Sequence, residues 1–442
     1  MTTYRCSVCG YLHSGSIDLH FCPVCNSSAT VFVHESKVDN FGIWDTNVRQ
    51  MIRTMAETGS YQMEGKGTAR TFLGMDDLIF LPAQIDRLPL ADEIEVNSEV
   101  VLGKTARKPV VLKTVILNAA MSYGALSKEA KMALAKGSTL AGTIANTGEG
   151  GMLDEERELA ERITLQYSTG RFGVSDERLQ AADMIEIKIS QGAKPGMGGK
   201  LPGVKVTAEI AAVRQIAQGE MAQSPAVHKD IRNAADLSAK ILELRNLTKG
   251  KPIALKIVGG HLDADLEAIF NQEHIPDVLV IDGGEGGTGA APVTIKDHVG
   301  LPLIYSLPRI SDFLVEHALR DKVTLLAAGG LRHPADIAKA VCLGADGVYM
   351  AGALKIALGC TYLRQCHLGN CPYGIATQDG KLRKRLDVEQ GAVRVANFIR
   401  AATEELKSIS RICGKTAIRD LSREDLVSLD PELARITNIS MA

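Results

Sequence analysis

The 442-residue chain is poor in aromatic side chains, at 4%, and holds a single tryptophan. That leaves little material for a base-stacking surface. Neither charge is in excess: 50 Lys and Arg stand against 52 Asp and Glu. Nothing electrostatic therefore favours nucleic acid or an anionic membrane as a partner. No apolar run approaches the ~20 residues of a bilayer span. The opening MTTYRCSVCG has no basic stretch followed by an apolar core, so it does not read as a secretory signal. No repeat of solenoid period and no low-complexity tract appears. These absences leave a soluble, glycine-rich protein with 42 glycines, expected in the cytoplasm. Its length suits one large α/β domain plus an appendage.

Cysteine is what the chain does have, nine in all. In a reducing cytoplasm these are not expected to form disulfides. Cys342 and Cys413 stand alone and read as buried thiols. Cys6-x2-Cys9 and Cys22-x2-Cys25 form two knuckles with twelve residues between them. That spacing predicts a tetrahedral site of four thiolates. Residues 1–30 are too few to have a core of their own, so the metal would staple the module. Ligand type alone leaves zinc and iron both open. Cys360-x5-Cys366-x4-Cys371 forms a third group. Three clustered thiolates could hold an iron–sulfur cluster. With the adjacent His367 they could instead hold zinc.

Residues 31–75 read as a helical connector, in which Trp44, Val48, Met51, Ile52 and Met55 recur at helical spacing. Over residues 76–404 short apolar runs alternate with helix-like stretches. The runs are VILNAA (115–120), GTIAN (142–146), MIEIKIS (184–190), a weaker EMAQS (220–224), IALKIV (253–258), DVLVIDG (277–283), VTLLAAGG (323–330) and GVYMAG (347–352). Uninterrupted apolar strands joined by helices predict a parallel sheet buried on both faces, and eight of them fit a (β/α)8 barrel. A doubly wound open sheet is the alternative, weakened because no GxGxxG follows the first strand. Residues 405–442 read as a helical tail that packs on the barrel or on a partner.

In a barrel, the glycine-rich segments after the strands gather at one rim, where active sites form. Gly329 and Gly330 end the seventh run and Gly352 ends the eighth. Loops at those two positions often bind phosphate through backbone N–H groups. Lys256 lies inside an apolar run, which is costly unless it is paired with negative charge or reaches the rim. Lys188, Lys194 and Lys200, followed by Arg214, make a cation-rich stretch suited to an anionic substrate.

GCTYLRQCHLGNCPYGIATQD resembles the iron–sulfur loop of the glutamate synthases. AAMSYGALSKEA, NTGEGG, STGRFGV, IEIKISQGAKPGMGGKLPG, GGEGGTGAAP and AAGGL follow that family's order across residues 70–400. The resemblance implies an FMN barrel with a [3Fe-4S] cluster on Cys360, Cys366 and Cys371. It implies that Lys256 meets the flavin N1/C2 carbonyl edge and Gln166 the ring edge. Leu165 stands beside it where the family has Lys. Ala120, Met121 and Ser122 would touch the ring through their backbone, with Asn146 a further cofactor position. Gln191, Lys194 and Arg214 would bind 2-oxoglutarate, with Lys200 in place of the family's Gln. Glu129 and Glu149 would lie near imine formation, Glu129 where ammonia arrives, and Lys194 and Lys256 would share the catalytic work.

CSVCGY and FCPVCN are similar to the knuckles of rubredoxin, which favours iron there. Asn26 takes the place of the final Gly, a position where Asn tolerates a left-handed backbone. The implied reaction condenses an amine with 2-oxoglutarate and reduces the imine to L-glutamate. Because Thr2 follows Met1, no N-terminal cysteine nucleophile is expected. The resemblance then implies a hetero-oligomer with separate glutaminase-like amidotransferase and β-helix subunits, fed by ferredoxin or a reductase. The same logic serves N-methylglutamate synthase, with methylamine as the amine. Readings from other classes are an inosinate-dehydrogenase-like barrel and a non-catalytic zinc-ribbon scaffold.

Overall fold

A computed structural model describes residues 3–6, 8, 11–14, 20–28, 32–35 and 46–442. Eight parallel strands make the core: β1 Ile116–Asn118, β2 Ala145–Asn146, β3 Ile163–Tyr167, β4 Met184–Lys188, β5 Ile253–Ile257, β6 Val278–Asp282, β7 Thr324–Ala328 and β8 Gly347–Met350. From β2 onward each pairs with the next in chain order, and β8 pairs with β1. The ring closes between β1 and β2, where the Asn118 N–H donates to Ile144 O at 3.3 Å and Thr143 Oγ1 donates to Ile116 O at 2.7 Å. This is the expected (β/α)8 barrel.

A helix follows every strand: α1 Lys128–Leu140, α2 Asp154–Leu159, α3 Asp176–Ala181, α4 Ala234–Leu247, α5 Leu262–Phe270, α6 Leu303–Glu316, α7 Pro334–Cys342 and α8 Gly352–Ala357. Local sequence sets their starts. Ser127, Ser175 and Asn233 accept backbone N–H groups at the first turns of α1, α3 and α4. A 25-residue helix, α9 (Val388–Ile412), packs on α1. Small residues allow the close approach: a Cβ on Gly137 would stand 2.8 Å from Val395 Cβ, and one on Gly391 3.1 Å from Ala133 Cβ. The tail expected from residue 405 therefore begins inside α9. It continues through Leu426–Ser428, which pairs antiparallel with Leu78–Phe80, to the helix Pro431–Thr437.

One strand expectation is corrected. EMAQS is not in the barrel: Ala222–Gln223 pairs antiparallel with Lys200–Leu201 as a rim hairpin. The third barrel strand is ITLQY, whose alternate residues Thr164 and Gln166 are polar and wholly buried or nearly so. An apolar run is therefore absent there. The cation-rich segment consequently follows β4.

The connector helix spans Thr46–Thr58, and Trp44 lies outside the described residues. Met63–Lys66 then pairs antiparallel with Thr288–Pro292, beyond β6, and so brings the connector onto the rim. Near the N-terminus, Thr3–Cys6 is the central strand of a three-stranded antiparallel sheet with Leu12–Ser14 and Phe32–Glu35. Among the described residues no helix is long and apolar enough to cross a membrane.

Candidate active site at the barrel rim

Two cavities with a shared wall open at the C-terminal ends of the strands. One, of about 600 Å³, is bounded by Gly329, Gly330, Gly352, Ala120 and Lys256. Gly329 and Gly330 are left-handed, at φ 95° and 73°. A Cβ on Gly329 would crowd Gly283 O at 2.8 Å, whereas one on Gly352 would meet nothing within 4 Å. Glu285, which the sequence reading passed over, buttresses this wall. Its carboxylate accepts the Leu303 N–H at the start of α6 (2.9 Å to Oε2), and burial raises it to about 7.

The second cavity, of about 330 Å³, holds most of the predicted substrate groups: Gln191, Lys194, Lys200, Arg214 and Glu149, with Ala120, Met121, Ser122, Gln166 and Lys256 on its walls. Glu149 accepts from Lys188 Nζ at 2.7 Å. Burial alone would raise its carboxyl, but Lys188, Lys194 and Arg214 outweigh that and hold it at about 2. Gly199 makes room for this carboxylate, since a side chain there would collide with Glu149 Oε1. Burial pulls Lys194 down to about 8 despite the attraction of Glu149, with Lys188 and Lys200 adding repulsion. Arg214 is buried, gives Nη2 to Tyr123 O at 2.7 Å, and has an Nε–H without a partner among the described residues. The cavity thus carries an excess of positive charge and an unspent guanidinium donor.

Beneath it, Lys256 pairs with Glu186 at 3.1 Å, and Gln166 Nε2 donates to the same carboxylate at 2.6 Å. Glu186 is wholly buried. The sequence reading missed it, although period two along β4 places Glu186 and Lys188 on one face. Two predicted residues lie elsewhere. Glu129 is bound by Arg383 at 2.8 and 3.1 Å and lines neither cavity. Asn146 is buried below the floor, where its Oδ1 accepts the Gly148 N–H at 3.0 Å and shapes the turn that carries Glu149.

Cys360, Cys366 and Cys371 border the second cavity. Two non-glycine residues between the first pair, Tyr362 and Arg364, are left-handed at φ 65° and 60°, a costly and therefore determined backbone. Cys360 Sγ receives Lys66 Nζ at 3.3 Å and the Tyr362 N–H at 3.4 Å. His367 borders the same cavity, and its Nδ1 has no partner among the described residues. Among those residues, the groups whose ligand atoms lie within 4.8 Å of one another do not include these three cysteines. A single zinc ion with Zn–S bonds of ~2.3 Å would draw its thiolates closer.

In the N-terminal module Cys6, Cys22 and Cys25 do converge within that distance, with Cys6 Sγ and Cys25 Sγ 3.7 Å apart. Cys9 lies outside the described residues. Asn26 adopts the left-handed backbone expected of it, at φ 57°. Gln365, between two of the loop cysteines, donates to Val8 O at 3.1 Å and so ties the first knuckle to the three-cysteine loop.

A (β/α)8 barrel with its polar groups and glycine-lined cavity at the strand C-termini defines the class: a barrel of the enzyme type. The flavin-binding domain of baker's yeast flavocytochrome b2 shares the fold, at a TM-score of 0.51 and 16% identity over 83% of this chain and 79% of that one. Residues 46–416 match the conserved region in glutamate synthase, and the chain belongs to the glutamate synthase family. Residues 4–33 match the rubredoxin-like domain of rubrerythrin. An archaeal glutamate synthase [NADPH] of Methanocaldococcus jannaschii is 40% identical over 86% of this chain and 80% of its own length. A glutamate synthase large subunit-like protein of Rhizobium meliloti is 39% identical over 88% and 92%.

Proposed function

We propose that the chain is an FMN- and iron–sulfur-dependent synthase component that reduces the imine of 2-oxoglutarate and ammonia to L-glutamate. The observation that carries this reading is the placement of Lys188, Lys194 and Arg214 around Glu149, with the Arg214 Nε–H unspent. A dicarboxylate supplies what that donor lacks. The residues also fit the cofactors. Gly352 borders open space and the Gly329–Gly330 turn is free of side chains, which suits a phosphate. Cys360 Sγ already receives two N–H donors, as a thiolate bound to a cluster would.

When bound, the flavin supplies a hydride and the cluster single electrons. The rest falls to the protein. Arg214 and Lys194 hold the carboxylates. Glu149, ionised throughout the neutral range, offers negative charge to a protonated imine. Lys194 Nζ, at about 8, can hold or release a proton near neutrality as water leaves. Gln166 and Lys256 would face the flavin from above the Glu186 carboxylate. In the N-terminal module iron is the proposed metal, and the Gln365–Val8 contact supports electron entry from that side. A separate amidotransferase subunit would deliver ammonia.

Anaerobically purified protein should show flavin absorption, an EPR-active iron–sulfur signal and glutamate formation from 2-oxoglutarate, ammonia and a one-electron donor. Protein that binds zinc alone and retains no flavin after reconstitution would defeat the proposal. Product formed with methylamine and not with ammonia would replace the amine.

A further inference from the structure

Lys66 lies in the connector, outside every motif discussed so far. Its backbone is left-handed, at φ 74°, and it is only 2% exposed. Both features cost free energy in a lysine, so neighbouring structure must enforce them. Enforcement is visible on both sides. A Cβ on Gly65 would stand 3.0 Å from Arg364 O and 3.3 Å from Cys366 Cβ. One on Gly67 would stand 2.4 Å from Glu285 O. The segment is thus threaded between the three-cysteine loop and the loop after β6. The Lys66 side chain borders both rim cavities, reaches Cys360 Sγ at 3.3 Å and lies 4.5 Å from the centre of the Tyr362 ring.

Charge is unbalanced here. Lys355 lies half-buried beside Lys66 and near the Cys360 and Cys366 sulfurs. Glu64, the acidic residue on the same strand, is engaged by Lys296 at 2.6 Å and Arg364 at 3.6 Å. Two lysines therefore face cysteine sulfurs rather than carboxylates. Such an arrangement calls for an occupant of net negative charge in the loop.

We propose that Lys66 is a positioning residue for the three-cysteine centre, anchoring the Cys360 thiolate and raising the reduction potential of the cluster it ligates. This rests on reading the loop as a cluster site. Reduction takes one electron from the donor and adds one negative charge to the cluster. An ammonium in contact with a ligating sulfur stabilises that added charge, and N–H donors to sulfur shift cluster potentials in this direction. Because Lys66 borders both cavities, its charge stands on the wall between the cluster and the flavin.

The test is an EPR-monitored redox titration of full-length holoprotein for wild type, Lys66→Met and Lys66→Arg, with flavin content measured on the same samples. In Lys66→Met the reduced-to-oxidised ratio of the cluster at fixed ambient potential should fall about tenfold, equivalent to ~59 mV for one electron. Lys66→Arg should stay near wild type. Loss of the cluster from Lys66→Met with retention in Lys66→Arg also supports the anchoring role. An unchanged potential in Lys66→Met, or loss of the cluster from both variants, overturns it. A wild-type protein without an iron–sulfur signal overturns the reading of the loop itself and is told apart from these outcomes in the same experiment.

Discussion

Lys256 and Glu186 form an ion pair 3.1 Å apart inside the barrel, one on β5 and the other on β4, directly beside it in the sheet. Glu186 also accepts from Gln166, so two cavity-lining side chains are oriented by one carboxylate that lines neither cavity. Removing its charge strands the lysine. Glu186→Gln should lower unfolding stability by about 3–5 kcal/mol, the cost of breaking a buried pair. Denaturant melts measure this. A loss within experimental error would mean that Lys256 finds another counter-charge.

On the proposed function, Lys194 gives substrate binding a pH dependence. Its ammonium is charged below about 8 and neutral above. The KM for 2-oxoglutarate should therefore rise as pH increases through 8, with kcat less affected. Glu149→Gln removes the attraction that favours the charged form and should move the rise to lower pH. Steady-state profiles of both proteins check the sign.

Glu149 carries a stability consequence of its own. Its folded carboxyl sits near 2 against an ordinary 4.5. The stabilisation is present above 4.5 and is lost as pH falls towards 2. Glu149→Gln should flatten that part of the acid-unfolding curve relative to wild type.

Gly352 separates cofactor retention from folding. A Cβ there meets no protein atom within 4 Å, and Gly352 lines the larger cavity. Gly352→Val should leave the thermal midpoint of the cofactor-free protein unchanged and sharply reduce the flavin-to-protein absorbance ratio. Full flavin content in the variant would place the phosphate elsewhere.

Gln365 tests electron entry. Gln365→Ala removes the hydrogen bond to Val8, worth ~1 kcal/mol. Flavin reduction by a one-electron protein donor should slow about fivefold, ~1 kcal/mol on that scale. Photochemical reduction of the same flavin should be unaffected. Equal slowing of both would show damage to the flavin site instead.

What the sequence disclosed follows from which faces are apolar. β5, β6, β7 and β8 are buried on both sides and read as continuous apolar runs. ITLQY escaped because Thr164 and Gln166 turn polar groups into the barrel, while EMAQS imitated a strand that exists only as a hairpin at the rim. Lys188, Lys194 and Lys200 of the second cavity were legible because they lie close together in the sequence. The pairing of Glu129 with Arg383 was not legible, because nothing local announces a partner 254 residues away. Lys66 and Glu186 were invisible for the same reason: their partners come from remote elements, Cys360 after α8 and Lys256 on β5.

The uneven lacing of the strands carries one more implication. Between β1 and β2 the ring is closed by a backbone contact and a threonine hydroxyl, whereas β6 and β7 run side by side over five residues. Thermal breathing would start at that thin seam. Met121 and Glu149 follow the two strands that flank it, and the glycine cradle follows β7 and β8, which are joined by a continuous three-residue ladder. A barrel tailored this way can loosen the doorway through which small reactants pass without slackening its hold on the prosthetic group.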